Sequence, residues 1–223
     1  MSVDNFELIR PLLKFRSDDD FFFLQIIQRK KDHPGGNVNG TNNNNRCVKS
    51  YYVRSLEYLD FIEPEVKQLA EVFQARVGID LNRRSYKSLG LKTVKKIISH
   101  IENGQENKIY KAYQTVCGKY ADEPKRKWIL DIDEKGYEDT GELKGVLKKI
   151  NPVAVENKIV AEIPSLNGVH IITSPFNVKK FNEWMPFTSL PDIDIHKRNP
   201  TNLYIPDSLT NKNNNKEKTR FSL

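Results

Sequence analysis

Along the first half of the chain, apolar positions come in bursts that change period. Phe21-Phe22-Phe23-Leu24-Gln25-Ile26-Ile27 is aromatic and β-branched, which is strand composition, and Cys47 to Arg54 resumes the same character. The two predict a hairpin with a long tip, because residues 33–45 are rich in glycine and asparagine and read as a flexible loop. Arg76 to Leu81 alternates, with Val77, Ile79 and Leu81 set against Gly78 and Asp80, and predicts another strand. Helical spacing predicts helices over Asn5 to Phe15, over Thr93 to Ile101 and over Asn107 to Val116. A further helix is expected to start at Pro64, with Val66, Leu69, Ala70 and Phe73 on one face.

The second half has a clearer order. Strands are predicted over Lys127 to Asp133, Lys158 to Ile163 and Gly168 to Thr173, with a last one inside Asp194 to Ile205, interrupted at Pro200. A helix over Gly141 to Ile150 carries Leu143, Val146, Leu147 and Ile150 on one face. A second runs from Asn177, a good N-cap, to Trp184. The sequence β-α-β-β-α-β is the split βαβ arrangement of ferredoxin-like and RNA-recognition-motif folds. The fold class is therefore α+β, as a two-lobed chain: an N-terminal α/β lobe over residues 1–120, a C-terminal module over 121–210 and a disordered tail over 211–223.

That topology gives the polar residues a shared address. The first strand of such a module lies between the third and the fourth, antiparallel to both. Its carboxyl end holds Asp131 and Asp133, which project to one face because strand side chains repeat every two residues. The amino end of the third strand brings Gly168-Val169-His170, and the fourth is approached through Asp192-Ile193-Asp194-Ile195-His196, followed by Lys197-Arg198. Two neighbouring carboxylates repel each other unless a positive group lies between them. A hard divalent cation with oxygen ligands is the usual partner. An acidic pair at a strand end also suits a solvated turn, which Glu134-Lys135-Gly136 would make.

Charge extends this picture without deciding it. The 36 basic and 29 acidic residues leave a net charge of +7, which suits a polyanionic partner. Cys47 and Cys117 are too few for a four-cysteine zinc site or a disulfide framework. No apolar run approaches the ~18 residues of a membrane span, and no signal-peptide pattern opens the chain. The expectation is a soluble cytoplasmic protein with no membrane partner.

Asp131-x-Asp133, Asn167-Gly168-Val169-His170 and an acidic position ahead of Arg198-Asn199 resemble the three motifs of the archaeo-eukaryotic primases, a superfamily that includes the primase-polymerases. The likeness covers mainly Lys127 to Ile205, and the small, basic, asparagine-rich character is similar to phage or plasmid versions. Asp192 fits the third acidic position by distance to Arg198-Asn199. Asp194 fits it by following the hydrophobic Ile193. The resemblance implies a two-lobed primase-like fold and nucleotidyl transfer on a single-stranded DNA template with nucleoside triphosphates. Two Mg²⁺ or Mn²⁺ ions would be held by Asp131, Asp133 and Asp192 or Asp194. It further implies that His170 contacts the triphosphate, that Gly168 lets backbone approach the phosphates, and that Lys197 and Arg198 touch phosphate or template. A helicase or other replication protein would attend. Arg29, Lys30, Lys31, Arg83 and Arg84 are candidates for template backbone contact.

Other readings predict different residues. A non-catalytic single-strand-binding accessory protein on the same kind of sheet would place aromatics, not Asp131 and Asp133, on its open face. A rolling-circle nickase would need a second histidine two residues from His170. A palm-type polymerase or cyclase shares the paired acids but has no call for a histidine at the third strand.

Overall fold

The computed structural model describes residues 1–33, 45–121, 126–134, 140–152, 158–198 and 200–210. The tail at 211–223, Asn199 and all but the ends of the 33–45 loop lie outside the described residues, as do the expectations placed on them. The described fold is mixed α+β with two sheets, and the chain divides into two units, Met1–Pro124 with the segment from Leu203 on, and Lys125–Asn202. Among the described residues no helix is long and apolar enough to cross a membrane.

The first unit is built on a five-stranded sheet of order β1-β9-β4-β2-β3, formed by β1 (Val3–Asp4), β2 (Asp20–Arg29), β3 (Asn45–Val53), β4 (Arg76–Ser85) and β9 (Thr201–Ile205). The expected hairpin is β2 with β3, antiparallel, its register shifting between Ile26 and Ile27. Strand β2 also pairs antiparallel with β4. Pro11 shortens the predicted first helix: α1 covers only Phe6–Ile9 and passes into a tighter turn over Arg10–Leu12, since proline cannot donate the next helical hydrogen bond.

Pro64 does not open α2 (Leu56–Phe73) but lies inside it. The start is fixed instead by Ser55, whose hydroxyl accepts from the Tyr58 amide at 3.0 Å. The stripe Leu59, Ile62, Val66 and Ala70 is buried along the whole helix, and this burial outweighs one missing backbone donor. Ser85 caps α3 (Tyr86–Glu102) in the same manner, accepting from the Ser88 amide at 3.0 Å. The predicted helix at 107–116 becomes a 3₁₀ segment, Glu106–Lys111, followed by α4 (Ala112–Lys119).

The second unit has β5 (Trp128–Ile132), α5 (Gly141–Lys149), β6 (Ile159–Pro164), β7 (Val169–Thr173), α6 (Val178–Trp184) and β8 (Asp194–His196). Its sheet order is β6-β7-β5-β8, and β5 pairs antiparallel with both β7 and β8. This is the order that the split βαβ connectivity predicts. One face is apolar: Leu130, Ile132 and Ile171 pack on Leu143, Val146, Leu147 and Phe181 of the two helices. Asn177 caps α6, its side chain accepting from the Lys180 amide at 3.1 Å. The last predicted strand is split in two. After Pro200 the chain leaves this sheet, and Tyr204 and Ile205 of β9 pair with β1 in the other one. The boundary at Asn202 consequently falls short of the expected 210.

Candidate active site

The face of the second sheet opposite α5 and α6 carries the polar cluster. Strand alternation that sends Leu130 and Ile132 toward the helices sends Asp131 the other way. In register, Asp131 faces His170 of β7 on one side and Asp194 of β8 on the other. Directly opposed residues of antiparallel strands share a face, so His170, Asp131 and Asp194 form one row across three strands. His196, two residues past Asp194, joins the same face opposite Ile129.

The imidazoles converge on one carboxylate. His170 Nε2 lies 3.3 Å from Asp131 Oδ1, and His196 Nε2 lies 3.6 Å from Asp131 Oδ2. These contacts are electrostatic, without hydrogen-bond alignment: Asp131 Oδ1 is buried and has no aligned donor. Burial pushes the Asp131 pKa up, but His170 and then His196 more than offset it and hold the carboxyl below its ordinary value. Asp131 is therefore kept ionised. His170 is itself fixed, its Nδ1 hydrogen-bonding Thr201 Oγ1 at 3.0 Å while Asn202 Nδ2 lies 3.4 Å from its Nε2. With both ring nitrogens occupied by protein groups, His170 is placed to orient Asp131. The half-exposed His196 is the imidazole with open access to solvent.

Asp133 lies just past the end of β5 and is exposed. Gly168 lies against this end of the strand. A Cβ there would overlap the Ile132 carbonyl oxygen and lie 2.8 Å from the Glu134 amide nitrogen. The glycine thus admits the backbone of the Asp131–Glu134 segment itself, a role different from the phosphate approach expected of it. Asp194 is exposed within the row, whereas Asp192 precedes β8 and is exposed outside it. Among the described residues, no three histidine, cysteine or acidic side chains stand close enough together to hold a metal ion.

The basic candidates are redistributed. Lys197 places its ammonium 4.9 Å from the centre of the Trp128 ring, and Trp128 packs on the helix-covered core, the face opposite Asp131. Arg198 is exposed in a bend after β8. Arg83 and Arg84 are not template-facing: both are buried on β4. Arg83 Nη1 donates to Asp20 Oδ2 at 2.7 Å. Arg84 donates to the Cys117 carbonyl at 2.8 Å, the Asn82 carbonyl at 2.9 Å and Asp80 Oδ2 at 2.9 Å. Two charges spaced like a surface pair are in fact interior, and each has its carboxylate there. Arg29 closes β2, and Lys30 and Lys31 continue it as a 3₁₀ turn.

Sequence reasoning missed His196 as the second partner of Asp131, although its spacing from Asp194 on a strand carried the signal. It also missed Thr201 and Asn202, for which the chain offers no local cue, since they follow the break at Pro200. Compared with known proteins, this chain matches no protein-family model, no curated protein and no solved structure.

Proposed function

We propose that the second unit carries a metal-dependent nucleotidyltransferase site, that of a small DNA primase or primase-polymerase acting on a single-stranded template, and that the two units correspond to the lobes of a primase-like fold. The observation that carries this reading is the in-register row of His170, Asp131 and Asp194 with His196 beside it. An ionised, half-buried carboxylate with one oxygen that accepts no hydrogen bond is a ligand in waiting. Its neighbours Asp194 and Asp133 are exposed and add only oxygen donors, the donor chemistry that Mg²⁺ or Mn²⁺ takes. The register favours Asp194 over Asp192 as the third acid.

In this reading Asp131, Asp194 and Asp133 would hold the divalent ions only once the exposed side chains of Asp133 and Asp194 close on Asp131, because as they stand no three such groups among the described residues are near enough to share an ion. Bound there, the ions would stabilise charge on the attacking hydroxyl and on the departing pyrophosphate. His170 fixes the Asp131 carboxylate through its own tether to Thr201. His196, the accessible imidazole, donates to the triphosphate, where a hydrogen bond gains strength as negative charge develops. Nucleoside triphosphates and single-stranded DNA are then the substrates, and a helicase or other replication protein would supply the unwound template in the cytoplasm of the cell or host.

The test is extension of a primed, and separately an unprimed, single-stranded template with Mn²⁺ or Mg²⁺ and labelled nucleotides. Metal-ion stabilisation is worth several kcal/mol. At about 1.4 kcal/mol per tenfold, Asp131→Ala with Asp133→Ala lowers synthesis on the order of a thousandfold while leaving single-strand binding in place. Synthesis that persists in the double variant refutes the assignment. Absence of product from the wild-type protein, with strand binding intact, favours the non-catalytic accessory protein.

A further inference from the structure

A groove on the first unit, between α3 and α4, collects positive charge that the catalytic reading leaves unused. The cavity is about 290 Å³, and Lys92, Lys95 and Lys96 of α3 line it together with Lys119 and Tyr120 from the end of α4. Ser99 and Thr115 add hydroxyls to its walls. The helices are held at this spacing by a buried cluster beneath them, Leu89 of α3 with Val116 and Cys117 of α4 against Phe21 and Phe23.

Lysines along an exposed helix are ordinarily interleaved with acidic residues three or four positions away, which offset their charge. Here residues 86–101 and 107–121 contain no aspartate or glutamate at all. Among the described residues, the groove walls therefore place ammonium groups side by side with no carboxylate lining them, and an added polyanion relieves their mutual repulsion. Lys92 spans the floor, its Nζ 2.9 Å from Ser88 Oγ and 5.1 Å from the centre of the Tyr120 ring. Tyr120 is 45% exposed, so it offers an aromatic surface beside the cations. Cations that track phosphates next to an exposed ring are the means by which proteins hold single strands without sequence preference.

We propose that this groove binds the sugar-phosphate backbone of single-stranded nucleic acid, with a base resting against Tyr120. The occupant rests on the template-directed reading above, and the site replaces Arg83 and Arg84, which are buried, as the first unit's strand-binding cations. Lys95, Lys96 and Lys119 supply the charge, and Lys92 holds Tyr120 in place.

The experiment is fluorescence anisotropy of labelled oligothymidylate with the full chain, in chelator and without nucleotide, titrated between about 50 and 200 mM salt. Three phosphate contacts at about 0.7 each predict a slope of log K against log salt near −2. Lys95→Gln with Lys96→Gln and Lys119→Gln should flatten that slope by about 2 and weaken binding at least about tenfold at low salt. The corresponding triple arginine variant should keep the slope, and Tyr120→Ala should weaken binding with the slope unchanged. Circular-dichroism melts check that each variant is folded. An unchanged slope in the glutamine variant, no wild-type binding, or equal competition by polyglutamate overturns the proposal. The Asp131→Ala, Asp133→Ala variant should bind like wild type, so loss of synthesis and loss of strand binding are read separately.

Discussion

Gly168→Ala distinguishes a packing role for this glycine from a ligand role. The added methyl would fall on the Ile132 carbonyl oxygen, 2.8 Å from the Glu134 amide nitrogen and 3.0 Å from the Ile132 carbonyl carbon. All three are backbone atoms at the end of β5, the strand that β7 and β8 flank on either side. No side chain can swing aside to make room. Overpacking a core costs about 1–3 kcal/mol where neighbours can adjust, so a clash with backbone belongs at about 3 kcal/mol or above. For a chain of this size, 2–4 °C of melting temperature is lost per kcal/mol, or about 6–12 °C in all. The protein has two tryptophans, Trp128 and Trp184, both in the second unit, so their emission during thermal unfolding reports on that unit selectively. A Gly168→Ala variant whose tryptophan transition coincides with that of wild type refutes the packing argument. If that variant loses nucleotide binding with its transition unmoved, the glycine acts on phosphate after all.

Two further outcomes follow from the first unit. Arg84→Met leaves Asp80 buried without its guanidinium partner. Breaking a buried pair from one side costs about 3–5 kcal/mol, which urea unfolding followed by far-ultraviolet circular dichroism should show, whereas the salt slope of strand binding should stay unchanged. For the cysteines, Ellman's reagent should label the exposed Cys47 in the native protein and reach the buried Cys117 only on unfolding. Burial pushes the Cys117 thiol up to about 11. The folded chain thus keeps a proton that the unfolded chain releases from pH 9 on. This stabilisation is fully present below pH 9 and declines as pH climbs toward 11, by about 2 kcal/mol in all. Guanidinium midpoints at the two ends of that range should diverge less in Cys117→Ala than in wild type.

The architecture of the second unit was legible from one-dimensional pattern. Strand alternation and helical spacing are local properties, so the order β-α-β-β-α-β, the cap at Asn177 and the position of Asp131 near a strand's carboxyl end could all be read along the chain. The strand order then followed from the way such connections close. Sequence pattern also brought the His170 segment and the Asp192–His196 segment to the carboxyl end of β5 but left Asp192 and Asp194 open, and only the observed register set Asp194 opposite Asp131.

Tertiary structure alone decided what each polar group touches. Arg83 and Arg84 look like exposed cations until β4 is threaded through the middle of a sheet, where burial is tolerable only with Asp20 and Asp80 at hand. Only a residue without a side chain fits at position 168, far along the chain, because the backbone of Ile132 and Glu134 fills the space that a Cβ would need. The tether from His170 to Thr201 joins positions 31 residues apart in sequence, a contact that no local pattern announces. Short-range periodicity determines which face a side chain takes. Its partners on that face come from segments whose approach costs chain entropy and is repaid only by the complete set of long-range contacts.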